Sequence, residues 1–341
     1  MRFDFIIGNP PFQEQISEND SNRALAKQLF PSFIMESAKV SDNLVLISPS
    51  RWFTGDAQDK SFVKLRQFFQ ENPHIKEMFL YKNAKDVFPN TQIKGGVNFF
   101  IYTNDYDGDV KFVSVENNME AMDIRSLFEE GIDVVVSDKV NISILHKAKN
   151  HPAFIPLTSL TTGRNPFGII GKKEVLEEVS TKEPGKNDVM LRCKANEIRW
   201  VNRDKITKGL DKLDKYKVFI SKSAGAPHND NNVIGTPYIG GPNSACTDSL
   251  ISIGCFESEI EAANLAKYLK TKYARYMIQI LKSSQNVTQL VYGYVPLQDF
   301  SPQSDIKWER SIRDIDKQLY QKYGLSEQEI EYIESFVNEV E

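Results

Sequence analysis

The chain has 341 residues, of which 40% are hydrophobic, 26% charged and 11% aromatic. This composition is typical of a globular protein and excludes collagen-like, low-complexity and intrinsically disordered chains. Lys and Arg number 42 and Asp and Glu 46, and the formal net charge of −4 excludes a protein that coats nucleic acid through bulk positive charge. At about 150 residues per domain, the length predicts two domains.

The sequence contains no apolar run of the roughly 20 residues that a membrane helix needs, and its first residues do not resemble a secretory signal. We therefore expect a cytoplasmic protein. Its three cysteines, Cys193, Cys246 and Cys255, are odd in number and widely spaced, so they predict neither a disulfide framework nor a zinc site. Buried, reduced thiols are the favoured interpretation, and no metal is expected.

The first 115 residues alternate short apolar runs with amphipathic stretches. Each apolar run predicts a buried strand, at 3–8, 43–48, 75–81, 96–102 and 110–115. Helical spacing lies between them, at 22–39 and 60–70, and Pro31 is expected to split or start the first helix. This alternation predicts an α/β fold in which helices cover a sheet that is at least partly parallel.

The pattern changes near residues 150–160, where Pro, Gly, Thr and Asn cluster after a helix expected to end near Lys149. The change predicts a domain boundary, with one domain at 1–150 and a second, loop-rich α+β domain at 151–341. Strand-like pieces follow at 217–221 and 249–254. Two capping-box patterns predict a long helix to about Leu281 and a helix at the end of the chain: Ser258 with Glu261, and Ser326 with Glu329.

Charge is segregated along the second domain. Between Arg192 and Lys222, ten Lys or Arg residues stand against four acidic residues, whereas residues 301–341 contain ten acidic residues against five basic ones. The basic stretch predicts a local groove for nucleic acid, and a solvated lysine-rich face is the alternative.

One tetrapeptide has the composition of a catalytic motif. Asn9, Pro10, Pro11 and Phe12 follow the first apolar run, at the carboxyl end of a predicted strand, where ligand sites of open α/β sheets lie. An amino group conjugated with a purine ring is a poor nucleophile, because its lone pair is delocalised. The Asn9 side-chain oxygen and the Pro10 carbonyl would accept hydrogen bonds from the two N–H groups of this amino group. If both oxygens are rigidly held, these bonds localise the lone pair for attack on a methyl group. A rigid turn that ends the strand is the structural alternative.

With this motif the sequence resembles the adenine-specific amino-methyltransferases of DNA from type II and type IIG restriction-modification systems. The similarity follows the C-terminal half of that family in order: NPPF (9–12), SPSRWF (48–53), KGGVNFF (94–100), GRNPFG (163–168), TKYARYMIQ (271–279), YVPLQDFS (294–301) and LYQKYGLSEQEIEYIES (319–335). The resemblance implies an incomplete Rossmann-like methyltransferase sheet in 1–150, followed by a target-recognition domain in 151–341 that ends on a helix.

The resemblance also implies an activity. The enzyme would transfer a methyl group from S-adenosylmethionine to N6 of an adenine flipped out of double-stranded DNA, without a metal. Residues 9–12 would be catalytic, and Phe12 would stack on the flipped base. Phe99 or Phe100 would be a second aromatic against the adenine, and strand core is the alternative for at least one of them, because successive side chains point to opposite faces.

Six further residues are candidate DNA contacts. Arg51 and Trp52 follow a predicted strand at the same edge as residues 9–12, and a packing Trp with a surface Arg is the alternative. The other four lie in expected loops of the second domain, where Arg and Asn read base edges or hold phosphates, and a generic surface role is the alternative: Arg164, Asn165, Lys222 and Asn243.

The sequence departs from the family at the cofactor loop. No glycine-containing turn of the family's kind precedes Asn9, and no downstream glycine-rich stretch has a convincing strand, turn and helix context, so the cofactor-binding residues are unknown. The first strand is expected to have an unpaired edge and apolar surface. Three explanations stay open: a partner chain carrying the cofactor-binding half, a sequence cut short at an internal Met, or a rearranged protein that no longer methylates.

Three functions are therefore weighed. The first is a site-specific DNA adenine N6-methyltransferase that needs the cofactor-binding half or a partner chain. The second is a catalytically inactive DNA-binding or specificity module, which the cofactor loop's absence favours. The third is an RNA or protein amino-methyltransferase, which uses the same Asn-Pro-Pro chemistry, although the long second domain favours DNA.

Overall fold

The computed structural model of the protein describes residues 2–14, 27–55, 57, 59–91, 93, 95–224, 233–282 and 287–338. The chain divides into two compact units, Met1–Ile142 (unit 1) and Ser143–Glu341 (unit 2). The division lies inside a helix, Lys139–Lys149, a few residues before the expected boundary. No helix among the described residues is long and apolar enough to cross a membrane.

Unit 1 is built on a six-stranded mixed sheet. Its strands are β1 (Ile6–Gly8), β2 (Asn43–Pro49), β3 (Ile75–Tyr81), β4 (Val97–Thr103), β5 (Val110–Glu116) and β6 (Met119–Arg125). They lie in the order β1-β2-β4-β3-β5-β6. The pairs β1 with β2 and β3 with β5 are parallel and the other pairs are antiparallel. The predicted α/β fold with a partly parallel sheet is confirmed.

Two helices, α1 (Phe30–Val40) and α2 (Ser61–Glu71), pack against one face of this sheet. The expected helix at 22–39 is corrected at its start, because Pro31 stands in the first turn of α1, where its missing N–H is no loss. Before it, Gln28 forms an antiparallel bridge with Gln13, so this part of the chain is extended. Residues 22–26 lie outside the described residues.

Strand β6 was missed by the sequence patterns. Its apolar residues alternate with polar ones and are exposed, at 70% for Met119, 61% for Met122 and 64% for Ile124. The hairpin from β5 turns at Asn117 and Asn118, which both have positive φ, the backbone conformation that two-residue hairpins favour. The strand lacks the continuous apolar run that marks the buried strands of this sheet.

Unit 2 contains two small sheets surrounded by helices, as expected for an α+β module. One sheet has the order β11-β10-β13, from Tyr238–Gly240, Tyr216–Ser221 and Leu250–Phe256. The other has the order β12-β8-β9-β7, from Ser244–Cys246, Asp188–Arg192, Ile198–Asn202 and Ser180–Thr181. The helices are α3 (Lys139–Lys149, which begins in unit 1), α4 (Lys173–Val179), α5 (Glu259–Lys270), α6 (Lys272–Leu281), α7 (Ile312–Lys322) and α8 (Glu327–Phe336).

The long helix expected to reach Leu281 is two helices, because Thr271 is extended, with φ −61° and ψ 148°. Its side chain ends α5 and caps α6 by accepting a hydrogen bond from the Ala274 N–H at 3.2 Å. The capping box of Ser326 and Glu329 at the start of α8 is confirmed.

The cysteines are all free thiols. Cys193 and Cys246 are buried, as interpreted, and burial raises the pKa of the Cys193 thiol to about 11. Cys255 is exposed, so the interpretation of three buried thiols is wrong for this residue.

Candidate active site at the carboxyl end of strand β1

The NPPF segment lies where the sequence predicted, directly after β1. Gly8, the last residue of β1, pairs in parallel with Leu46 of β2. The Asn9 side chain is exposed and makes no hydrogen bond among the described residues, while Pro10 is half-buried and Pro11 exposed. The Asn9 amide is therefore accessible from solvent, and no described residue holds it by a hydrogen bond.

Phe12 is fixed from two sides. Its half-buried ring packs edge-on against Phe30 of α1, with centroids 6.4 Å apart, and belongs to the margin of the unit 1 core. Its carbonyl accepts a hydrogen bond from the Leu29 N–H at 3.1 Å, and the next residue, Gln13, forms the bridge with Gln28. This short ladder of residues 12–14 against 27–29 anchors the chain immediately after the motif.

Arg51 supports that ladder. It lies in the 3₁₀ turn Ser50–Trp52 after β2, and its Nη2 donates to the Gln28 Oε1 at 2.9 Å. Burial lowers the pKa of the Arg51 guanidinium. Arg51 is half-buried and ties the turn after β2 to the segment that holds the NPPF motif, and its expected contact with DNA stays a prediction.

We predict that Arg51→Met lowers the free energy of unfolding of unit 1 by about 1.5–3 kcal/mol, the usual contribution of a hydrogen bond to a charged group. Urea unfolding followed by Trp fluorescence measures it. Arg2→Met is the control, because Arg2 pairs with Asp42 at an exposed surface position and should change stability little. A stable Arg51→Met variant with a weaker salt dependence of DNA binding would instead identify Arg51 as a phosphate contact.

Trp52 is a core residue, so its expected DNA contact is corrected. The ring is 0% exposed and lies against Phe53 and Phe69, with centroid distances of 4.8 and 5.3 Å. Arg66, itself buried, donates to the Trp52 carbonyl at 2.6 Å. A ring buried in this way has no surface left for nucleic acid.

A buried polar network at the ends of β2 and β4 was missed by the sequence analysis. Asn98 is 0% exposed, and its Nδ2 donates to the Ser48 carbonyl at 3.1 Å and to the Ser50 Oγ at 3.3 Å. The Ser48 Oγ donates back to the Asn98 Oδ1 at 3.2 Å. The network fixes the start of the turn that carries Arg51. An Asn inside the apolar run VNFF was the available signal.

The two aromatics of β4 point to opposite faces, as the strand geometry requires. Phe100 is 0% exposed and packs against Phe69 of α2, so its expected contact with adenine is corrected to a core role. Phe99 is half-buried on the other face, where it stacks on Phe79 with centroids 4.4 Å apart and planes within 9°. Of the pair, Phe99 is therefore the remaining candidate for a base contact.

Gly96 precedes β4 and has a conformation that only glycine adopts without strain, with φ +81°. A Cβ atom there would lie 2.5 Å from the Tyr81 carbonyl oxygen and 3.0 Å from that of Lys82. Both contacts are with backbone, so the neighbours cannot yield by rotating a side chain.

We predict that Gly96→Ala destabilises unit 1 by more than about 1 kcal/mol, because the conformational strain and the steric clash add. Gly324→Ala is the matched control, since Gly324 also has a positive φ of +60° but nothing within 4 Å of the added Cβ. Chemical denaturation should show the larger loss for Gly96→Ala. Equal losses would mean that the close approach to Tyr81 contributes nothing.

In unit 2 the four predicted loop residues have different surroundings. The Lys222 Nζ donates to the Asp248 carbonyl, and its pKa is lowered by burial and by the nearby charge of Arg164, which is exposed. Asn165 has a left-handed φ of 53°, and its buried Oδ1 has no partner among the described residues. Asn243 is exposed, and its Nδ2 donates to the Asp188 carbonyl at 2.8 Å, so its expected contact with DNA stays a prediction.

No described strand pairs with the other side of β1, which is the edge of the sheet. Phe5 and Ile7 on and beside this strand are 67% and 76% exposed. On this side the described residues offer no element to hold a cofactor, and the cofactor-binding residues stay unidentified. The described residues also contain no group of three or more His, Cys, Asp or Glu side chains that could hold a metal ion.

Fold and site together define an α/β protein with an Asn-Pro-Pro-Phe segment, whose Asn is exposed, at the carboxyl end of an edge strand. Residues 1–88 match the family of the Eco57I restriction-modification methylase. This match confirms the resemblance to restriction-modification methylases that the NPPF motif indicated.

One curated relative is described as an uncharacterized adenine-specific methylase of Mycoplasma pneumoniae. It is 37% identical over 110 residues, which are 32% of this chain and 25% of that protein. Among solved structures, the Type IIL restriction-modification enzyme MmeI in complex with DNA has a TM-score of 0.51 at 12% identity, over 98% of this chain and 56% of its own. The likeness to MmeI is one of fold. The chain thus matches a quarter of the curated relative and about half of MmeI.

Proposed function

We propose that this chain is the catalytic and target-recognition part of a site-specific DNA adenine N6-methyltransferase of a restriction-modification system. The observation that carries the proposal is the exposed Asn9 amide, which makes no hydrogen bond among the described residues and stands next to two prolines at the carboxyl end of β1. The match of residues 1–88 to a restriction-modification methylase family supports it, as does the adenine-specific methylase of Mycoplasma pneumoniae.

In this proposal the Asn9 Oδ1 and the Pro10 carbonyl oxygen accept hydrogen bonds from the two N–H groups of the adenine N6 amino group. The lone pair then lies on a pyramidal nitrogen and attacks the methyl carbon. A nitrogen–carbon bond forms, the sulfur–carbon bond of the donor breaks, and a proton passes from N6 to water. S-adenosylmethionine, when bound, supplies an electrophilic methyl group. The prolines keep both acceptors oriented before the base arrives, which is what electrostatic preorganisation requires.

The base must leave the duplex to reach Asn9, because an enzyme cannot reach N6 inside the stack. Phe12, whose ring remains partly exposed, is proposed to stack on the flipped adenine, and Phe99 to be the second aromatic. The stack of Phe99 on Phe79 fixes the orientation of the Phe99 ring. Unit 2 is proposed to recognise the double-stranded target.

The cofactor site is proposed to be completed by polypeptide other than the described residues, either a second chain or another part of a longer protein. The open edge of β1 and the exposed Phe5 and Ile7 support this, because an unpaired apolar edge strand is a ready surface for another strand.

Calorimetric titration of S-adenosylmethionine into the purified chain, alone and with an adenine-containing duplex, tests the proposal. Micromolar binding by the chain alone would place a complete cofactor pocket within residues 1–341. Without binding, the same titration is made on the native assembly isolated with its bound proteins. An assembly that binds both S-adenosylmethionine and DNA but transfers no labelled methyl group would reject the enzyme and favour the DNA-binding module.

A further inference from the structure

A cluster of three side chains lies at the end of β8 in unit 2. The guanidinium of Arg192 stacks over the ring of Tyr238, 3.9 Å from its centroid. The Arg192 Nη2 donates to the Asn196 Oδ1 at 3.1 Å, and the Tyr238 hydroxyl donates to the same oxygen. We call these residues the Arg192 cluster. The guanidinium is held by the ring of Tyr238 and by a hydrogen bond to Asn196.

The cluster is costly for the folded chain. The Arg192 Nε is buried and has no hydrogen-bond partner among the described residues, which leaves a desolvated donor unsatisfied. Ala195 and Asn196 have left-handed φ values of 56° and 66°, the conformation expected in the hairpin turn between β8 and β9, and this turn presents the Asn196 acceptor. A buried donor without a partner is rare in folded proteins, so stability alone does not explain this arrangement.

Two further basic residues of unit 2, Lys222 and Arg164, are connected with the turn that follows β12. The Arg192 carbonyl accepts a hydrogen bond from the Thr247 N–H at 3.0 Å. The carbonyl of the next residue, Asp248, accepts a hydrogen bond from the Lys222 Nζ. Arg164 lies close enough for its charge to affect the pKa of Lys222. The turn after β12 is therefore bonded to the Arg192 main chain and to the Lys222 side chain.

The acidic groups nearby are engaged. Glu197 pairs with Arg199 at 2.6 Å, and the Asp248 carboxylate accepts from the Gly171 N–H at 2.7 Å. Neither carboxylate forms an ion pair with the Arg192 guanidinium. The positive charge of Arg192 is therefore available to a ligand.

We propose that Arg192 reads a guanine of the target sequence. The inference rests on the proposed function, because it takes DNA as the substrate. A guanidinium fork donates two parallel hydrogen bonds to O6 and N7 of guanine in the major groove, the commonest specific contact between an arginine and a base. Nη1 and the second N–H of Nη2 supply these donors. Tyr238 and Asn196 hold the guanidinium in place and so reduce the entropy lost on binding.

The test is selection of duplexes from a random-sequence pool by the full chain, followed by dissociation constants for the selected duplex and for each single base-pair change. The wild-type protein should prefer G at one position by roughly 5- to 150-fold, the discrimination of one bidentate contact. Arg192→Ala should lose the preference at that position and keep the others. Arg192→Lys, which keeps the charge and the fold, should also lose most of it.

Two further variants separate reading from general attraction. Tyr238→Phe keeps the stacked ring and should keep the preference, whereas Tyr238→Ala should weaken it. Arg310→Ala is the matched control, because Arg310 pairs with Glu309 on an exposed part of the same unit, outside the basic stretch 192–222, and should leave the preference intact. Arg164→Ala should weaken binding to all duplexes alike. It should also lower the slope of log affinity against log salt concentration by about 1, as the loss of a phosphate contact does.

If Arg192→Ala and Arg192→Lys lower the affinity for all duplexes equally, Arg192 is a phosphate contact and the inference is overturned. An unchanged base preference in these variants would overturn it as well. Failure of the wild-type chain to bind any duplex would overturn it too. An assembly that keeps the Arg192-dependent preference but never transfers a methyl group would contradict the proposed enzyme and leave the role of Arg192 standing.

Discussion

Asn9→Ala is expected to lower the rate of methyl transfer on the order of 10²- to 10³-fold, the usual effect of removing one preorganised hydrogen-bonding group from a reacting centre. The Asn9 side chain is exposed and makes no hydrogen bond in the described part of the chain, so its loss should change the stability by no more than about 0.5 kcal/mol. Duplex affinity should therefore stay within about twofold. Transfer of labelled methyl groups by the native assembly measures the rate, and fluorescence anisotropy measures DNA binding.

Asn90→Ala is the matched control for this variant. Asn90 is also an exposed Asn in unit 1, without a hydrogen bond among the described residues, and has no role in the proposed chemistry. It should leave both the rate and the affinity unchanged. If Asn9→Ala methylates as fast as Asn90→Ala does, the acceptor role of Asn9 is refuted, and the NPPF segment would be the rigid turn that the sequence allowed as its alternative.

The elements that the sequence predicted well are those specified by neighbouring residues. The runs at 43–48 and 75–81 become strands almost residue for residue, as Asn43–Pro49 and Ile75–Tyr81. Their near-continuous apolar character is typical of strands that pack inside a sheet. The place of Asn9 at the carboxyl end of β1 follows in the same way, because a strand and the segment after it are local features.

The contacts that support the candidate site could not be predicted, because they join residues far apart in the chain. Gln28 and Arg51 are 23 positions apart, and Ser48 and Asn98 are 50 apart. The Arg192 cluster brings Tyr238 to Asn196 across 42 positions. Periodicity describes which face a residue occupies and carries no information on which distant polar group it meets there, so these partners appear only in the folded chain.

Trp52 shows the same limit for a single residue. The sequence placed it after β2 at the edge that carries Asn9, which favoured a DNA contact and a packing role equally. The choice depends on where the turn Ser50–Trp52 directs its side chains. The Asn98 network holds the start of that turn, and the Trp52 ring enters the core against Phe69 while Arg51 reaches Gln28.

Trp52→Ala is expected to destabilise unit 1 by about 3–5 kcal/mol, the cost of removing a fully buried aromatic side chain and leaving a cavity. A loss of this size is a large fraction of the stability of a typical domain. Chemical denaturation followed by circular dichroism should therefore show unit 1 unfolding at much lower denaturant, before any effect on unit 2.

Trp52→Phe separates packing from DNA recognition. The Trp52 Nε1 is buried without a hydrogen-bond partner among the described residues, so phenylalanine sacrifices no hydrogen bond and keeps an aromatic ring against Phe53 and Phe69. The variant should lose less stability than Trp52→Ala and bind duplex DNA with unchanged affinity and salt dependence. A folded Trp52→Phe protein with weakened DNA binding would instead show that the indole reaches nucleic acid, which requires the turn after β2 to open and expose a ring that packs in the core of unit 1.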